Sequence, residues 1–179
     1  MKLSEIIRIA KKQKVAIIET DIDEQQWLNT GKAIYKLEGM PYLTSDIFLN
    51  IANVSEKQKE NWFKEDRTDR TGIYKTDKVN EIEITADMAG ISILYNGSHI
   101  VPFYLPDGVI WIDNDYLKPL ENCKSEYLRF FVRGETNRVL AVKEGLILIA
   151  LILEYELQEH LMEKLELMEH QCKMQIGQL

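Results

Sequence analysis

The chain opens with apolar residues at helical spacing. Leu3, Ile6, Ile7 and Ala10 recur three and four apart, which predicts an amphipathic helix over residues 3–13 with Ser4 placed to cap nearby amides. The period then changes. KVAIIET, residues 14–20, is a β-branched run and predicts a strand. The polar stretch DIDEQQ is a turn, strand character resumes at Trp27 and Leu28, Asn29-Thr30-Gly31 turns again, and residues 32–37 alternate into another strand. Gly39-Met40-Pro41 breaks that strand, and Thr44 or Ser45 then caps a helix to about Asn53 with Ile47, Phe48, Ile51 and Ala52 apolar. SEKQ, residues 55–58, fits a capping box and predicts a short helix to about Lys64, anchored by Trp62 and Phe63. EDRTDRTG, residues 65–72, mixes charges and reads as an exposed loop.

From Asn80 onward the pattern is strand-like. Residues 81–85 alternate, and 91–95 and 99–104 flank Asn96-Gly97-Ser98, a hairpin signal because Asn-Gly tolerates positive φ at both turn positions. Pro106-Asp107-Gly108 turns into a strand over 109–112. Asp113 or Asn114 then caps a helix that must be brief, because Pro119 fits only near its first turn. Strands over 127–133, 138–143 and 146–153 follow, with Gly134 and Gly145 in their turns. The last run is apolar on both faces; its length and the preceding Gly145 favour a buried strand over a helix start. The expected fold is α+β and mainly antiparallel. Residues 1–153 form the domain, and residues 154–179 form an acidic amphipathic helix. From about Ile91 a single antiparallel sheet is expected, interrupted by one short helix over 113–122.

The order from Val109 is strand, short helix, strand, strand, strand, and an opening of strand then helix also occurs over 32–53. This weakly duplicated βαβββ pattern resembles the module of DNA processivity (sliding) clamps. The resemblance is carried by GVIWIDNDYLKPL, YLRFFVRG, RVLAVKEG and LILIALIL. In that family two modules form a domain with sheets outside and helices facing DNA. The chain as a whole is also similar to small prophage proteins of Gram-positive bacteria. The segment 55–76 and the tail helix are additions to the clamp pattern.

Charge refines this picture. The 179 residues carry a formal net charge of −7, with 28% charged and 45% hydrophobic residues, an ordinary composition for a folded chain. Residues 154–172 hold six Glu and one Lys, so the acidity lies mainly in the tail. Residues 118–143 are locally basic, with six bases against three acids. Two cysteines make no disulfide framework. The N-terminus lacks a long apolar core for a signal peptide, and the longest apolar run, residues 146–153, is too short to span a bilayer. A cytoplasmic protein without membrane association is expected.

Candidate chemistry is sparse. Asp21, Asp23 and Glu24 cluster after a strand, where carboxylates can bind a hard cation, although an acidic turn explains them as well. His170 and Cys172 would point about 200° apart on a helix and would not converge on a metal. No phosphate loop, nucleophile elbow or metalloprotease helix is present, so no catalytic set, metal site or cofactor is assigned. The richest surface is Tyr127, Arg129, Phe131 and Arg133, which alternation places on one side of a strand, with Leu128, Phe130 and Val132 on the core side. Cations interleaved with aromatics suit a nucleic-acid backbone or an acidic partner. On the tail, Leu157, Leu161, Leu165 and Met168, continued by Cys172, form one apolar stripe suited to self-association or to covering the protein's own sheet.

The function expected from these features is a non-enzymatic, phage-type accessory or binding protein. Its partners would be DNA or a DNA-processing protein, in replication or recombination, with homo-oligomerisation. The alternatives are a metal-dependent enzyme acting on nucleic acid through residues 21–24, and a dimerising structural or regulatory adaptor.

Overall fold

A computed structural model describes residues 1–68, 75–77 and 83–176. The first helix, α1 (Leu3–Gln13), ends where Lys14 adopts the left-handed conformation, φ 55° and ψ 39°. Strands β1 (Val15–Thr20), β2 (Gln26–Asn29) and β3 (Ala33–Lys36) form an antiparallel meander. Helix α2 (Ser45–Ile51) begins at Thr44, whose Oγ1 accepts from the Ile47 amide at 3.2 Å. The one-turn helix α3 (Glu56–Lys59) carries the capping box, with Gln58 Oε1 accepting from the Ser55 amide at 3.0 Å.

Helix α3 is shorter than its capping signal suggests, because the chain turns at once into β4 (Phe63–Thr68). Residues 65–68 therefore lie in a strand rather than the expected loop, while 69–72 fall outside the described residues. Strand β4 lies parallel to β1, in register from Val15 opposite Phe63 to Thr20 opposite Thr68. Its six residues are all exposed, so no buried alternation marks it in the sequence. Of the expected strand over 81–85, only β5 (Ile84–Thr85) is seen, and residues 81 and 82 lie outside the described set.

Strands β6 (Asp87–Met88), β7 (Ile93–Tyr95), β8 (Ser98–Leu105) and β9 (Gly108–Asp113) make a second sheet. The β7–β8 hairpin turns at Asn96 and Gly97, with φ of 48° and 79°. Two short 3-10 turns, Asn114–Tyr116 and Lys118–Leu120, occupy the place of the expected helix, and a third, Ser125–Tyr127, takes the first residue of the strand expected over 127–133. Asp113 caps the first, accepting from the Asp115 amide at 3.0 Å. Strands β10 (Leu128–Arg133), β11 (Val139–Glu144) and β12 (Ile147–Leu153) then return to the first sheet, and helix α4 (Glu159–Ile176) closes the described chain. The apolar run 146–153 is thus a strand from Ile147 onward, with Leu146 in the turn.

The expectation of one sheet from Ile91 onward is corrected. The large sheet has the order β4-β1-β2-β3-β12-β11-β10-β5, and β6 to β9 stand apart from it. The reason is that the β12 edge finds a better partner early in the chain: Ala150, Leu151 and Ile152 pair with Tyr35, Ile34 and Ala33. Two meanders, β1–β3 and β10–β12, therefore join edge to edge. Each is preceded by a helical segment, α1 in one case and the 3-10 turns in the other.

The main core lies between the inner face of the large sheet, α1, α2 and the small sheet. Ile6, Ile9, Leu28, Tyr35, Phe48, Phe103, Ile110, Ile112, Leu140 and Ile152 are buried in it. A register shift at Val142/Lys143 places both Ile149 and Ala150 in this core. Leu148 and Leu151 go instead to the outer face, with Trp27 and Ala141. That irregularity is how an unbroken apolar run serves two faces. The Tyr35 hydroxyl donates to the Tyr116 carbonyl at 2.8 Å and ties the sheet to the 3-10 turns; burial pushes its ionisation well above the ordinary tyrosine value. Gln26 binds both the amide and the carbonyl of Leu43, at 2.7 and 2.8 Å, and fixes the link into α2.

Candidate functional site

Strand β10 alternates. Leu128, Phe130 and Val132 face the main core, and Phe131 joins the outer-face cluster. Arg133 is only 3% exposed. Its Nη2 and Nε donate to Glu83 Oε1 at 2.9 and 3.1 Å, and Nη2 also donates to the Thr76 carbonyl at 2.9 Å. Lys143, on the neighbouring strand, donates to the other Glu83 oxygen at 2.9 Å and sits 4.8 Å from the centre of the Phe131 ring. Arg133 is therefore bound up inside the protein, and Phe131 is half-buried. Tyr127 and Arg129 remain exposed. The Arg129 guanidinium donates to the carbonyls of Glu126 and Leu128 at 2.9 Å, and Lys124 lies 5.7 Å from the Tyr127 ring centre. Of the four residues singled out over 127–133, the structure leaves two on the surface, and Tyr127 belongs to the 3-10 turn before β10.

The outer face holds a second buried ionic group. Glu19 is 2% exposed and binds Asn29 Nδ2 at 2.8 Å, together with Arg67 and Lys75. Burial pushes its carboxyl up, and the bonds from Lys75, Asn29 and Arg67 outweigh that and hold it below the ordinary value. These groups fit a structural role, since a buried charge is tolerated only when paired and hydrogen-bonded.

The acidic stretch at 21–24 is built as a turn. Asp21 Oδ1 accepts from the amides of Asp23 and Gln25, each at 2.9 Å, and Oδ2 accepts from Trp27 Nε1 at 2.8 Å. Both oxygens are thus committed to the loop. Among the described residues, no three His, Cys, Asp or Glu side chains gather where a metal ion would need them.

The unclaimed positive charge is at α1. Residues 2–14 contain five bases, Lys2, Arg8, Lys11, Lys12 and Lys14, and one acid, Glu5. The apolar side, Ile6, Ile9 and Ala10, is buried, so helical spacing turns the bases outward. Three cations converge on one carboxylate: Asp115 is 2.7 Å from Lys118, 2.9 Å from Lys12 and 3.4 Å from Arg8. The bond from Lys118, then those from Lys12 and Arg8, overcome partial burial and hold the Asp115 carboxyl far below the usual carboxylate range. Lys2 pairs with Glu121 at 2.7 Å. Lys11 and Lys14 make no ion pair among the described residues and are exposed.

Lys11 and Lys14 line a cavity of about 300 Å³ between the end of α1 and the α2–α3 corner. Asn53, Val54, Gln58, Asn61 and Trp62 form the rest of its wall. Two left-handed residues shape it. Lys14 stops α1, and its carbonyl accepts from the Phe63 amide at 2.9 Å, which pulls β4 alongside. Asn53, with φ of 53°, ends α2; Asn is among the few residues that enter this conformation readily. Val54 is buried and Trp62 half-buried, packed against the main core. The Gln58 amide is oriented by Ser55, whose amide and hydroxyl both donate to Oε1 at 3.0 Å. The side chains of Asn53 and Asn61 make no hydrogen bond among the described residues. The cavity therefore combines two ammonium groups, three carboxamides and an indole.

The sequence pattern of residues 3–13 gave the helix but not this cavity. Its only signals are the excess of lysine at the C-terminal end of α1 and a tryptophan on a polar segment some forty to fifty residues away, and only folding brings the two together.

Helix α4 carries three of the four stripe residues, while Leu157 precedes it. Leu157, Leu161 and Leu165 are half-buried, and Met168 is 58% exposed, beside Leu167 at 57%. No helix among the described residues is long and apolar enough to cross a membrane. No protein-family model, no curated protein and no solved structure matches the chain.

Proposed function

We propose that this protein is a non-enzymatic nucleic-acid-binding accessory factor, of the phage type that acts in cytoplasmic DNA replication or recombination. The observation that carries the reading is the helical side of the fold. An acidic chain concentrates five bases on and around one short helix, and leaves two of them, Lys11 and Lys14, without an acidic partner among the described residues. Such a surface neutralises backbone phosphates and releases their counterions on binding. Tyr127 and Arg129, with Lys124, form a smaller second patch at the entry to β10.

The test is fluorescence anisotropy with a labelled oligothymidine and a duplex, titrated between about 50 and 200 mM salt. Binding should weaken as salt rises, with a slope of roughly −0.7 per phosphate contact on the single strand. The double variant K11E/K14E should weaken binding at least about tenfold and flatten that slope. R129E should change affinity by less than about threefold. No binding by the wild-type protein at low salt would overturn the proposal, and a larger loss from R129E than from K11E/K14E would move the contact to β10.

The exposed Leu167 and Met168 favour a second element, self-association through α4. Burying such side chains is worth about 1.5 kcal/mol or more each, which exceeds the few tenths of a kcal/mol lost per like-charge pair on the acidic flanks. Deleting residues 157–179 should lower the number of copies per particle seen by light scattering; an unchanged number would remove this element.

A further inference from the structure

The α1 cavity holds more than a phosphate needs. Lys11 and Lys14 alone would serve a backbone. Trp62, Asn53, Gln58 and Asn61 add an aromatic ring and groups that donate and accept hydrogen bonds, and all of these residues line the same space. A planar heteroaromatic ring edged with donors and acceptors, attached to an anion, matches that set. We infer that the cavity seats one nucleotide unit with an unpaired base, its phosphate held by Lys11 and Lys14 and its base set against Trp62 and the amides.

The inference rests on the nucleic-acid reading above and gives it a substrate class, single-stranded over double-stranded. The size agrees. About 300 Å³ is at the small end of ligand cavities, enough for one unit rather than a run of bases. A base inside a duplex is stacked and paired, so its face and edge are not offered to such a pocket. Amides can pair with the edge of any of the bases, and every base has a face for an indole, so the site is sequence-tolerant. The cavity is also well supported: Trp62 packs on the main core, Gln58 is oriented by Ser55, and Lys14 is fixed by its bond to β4.

The ligand can be changed instead of the protein, which avoids any question of folding. Anisotropy competition at one fixed salt concentration compares four probes with the full chain: oligothymidine, an abasic oligonucleotide of the same length, a duplex, and thymidine monophosphate. Oligothymidine should bind at least about tenfold more tightly than the abasic strand or the duplex, the size of one base-stacking contact. A second arm uses N53G/N61A, which removes two exposed carboxamides and keeps the left-handed turn at residue 53. It should reduce the preference for oligothymidine over the abasic strand and leave the salt slope unchanged. Monophosphate binding as tight as the oligonucleotide would also support the pocket and identify a free nucleotide as its occupant. Equal affinity for oligothymidine, abasic strand and duplex would overturn the inference while leaving backbone binding in place. No binding of any probe would overturn both.

Discussion

The two faces of the large sheet both gather cations around a single carboxylate, and they do so under opposite conditions. On the outer face, Glu83, Arg133 and Lys143 have side-chain exposures of 0, 4 and 3%. On the helical side, Asp115 has an exposure of 22%, and Arg8, Lys12 and Lys118 have 40, 53 and 39%. The arithmetic of charge is similar; the solvent is not. A desolvated pair is held by low dielectric and cannot be broken cheaply, so it fixes the packing of one strand on another. An exposed pair is worth roughly 0–1 kcal/mol and exchanges partners readily. The first arrangement removes cations from the surface, and the second keeps them available to an incoming anion.

The largest expected effect tests the outer face. Glu83→Ala leaves Arg133 and Lys143 buried without the carboxylate that bridges them, and should cost about 3–5 kcal/mol of stability, read from denaturant midpoints at constant slope. A loss below about 1 kcal/mol would mean that water reaches this site and would erase the contrast between the faces.

A smaller effect of mixed sign is expected at Asp115. Its carboxyl is depressed in the folded protein, so the stability it contributes is present above the ordinary carboxylate pKa of about 4 and is lost as pH falls through that range and below. Asp115→Asn should lower stability by about 1 kcal/mol at neutral pH and make the acid-side decline shallower. The same change frees Arg8, Lys12 and Lys118, so binding of oligothymidine should tighten by a factor of about two to five. Weaker binding would show that Asp115 orders the lysines for the ligand rather than competing with it.

Local chemistry accounts for much of the fold. The 3.6-residue spacing of Leu3, Ile6, Ile7 and Ala10 specifies α1, because one helix face must be buried wherever the helix docks. Asn96-Gly97 specifies its hairpin, because the left-handed turn needs residues that tolerate positive φ. Thr44 and Asp113 mark a helix and a 3-10 start by accepting from amides two or three residues on, and Ser55 marks its helix by donating its own amide to Gln58. Residues 147–153 are a strand, as their length and Gly145, at φ 63°, indicate. Alternation along β10 likewise shows in the chain which side chains point to the core.

The remainder depended on partners distant in sequence. Period-two patterning says that a strand has a buried face, but not which strand lies beside it; the pairing of β12 with β3, and hence the division into two sheets, was decided by which edges were free to meet. Strand β4 is exposed throughout, so it left no pattern to read, and its parallel position follows from the bond between the Phe63 amide and the carbonyl of Lys14. Arg133 and Arg129 are indistinguishable by periodicity. Glu83, fifty residues upstream, claims one and leaves the other, because only the folded sheet brings that carboxylate within bonding distance. The α1 cavity follows the same rule. Its lysines come from one end of the first helix and its amides and tryptophan from a corner far along the chain, and their convergence is a property of the packed structure, since no local interaction links them.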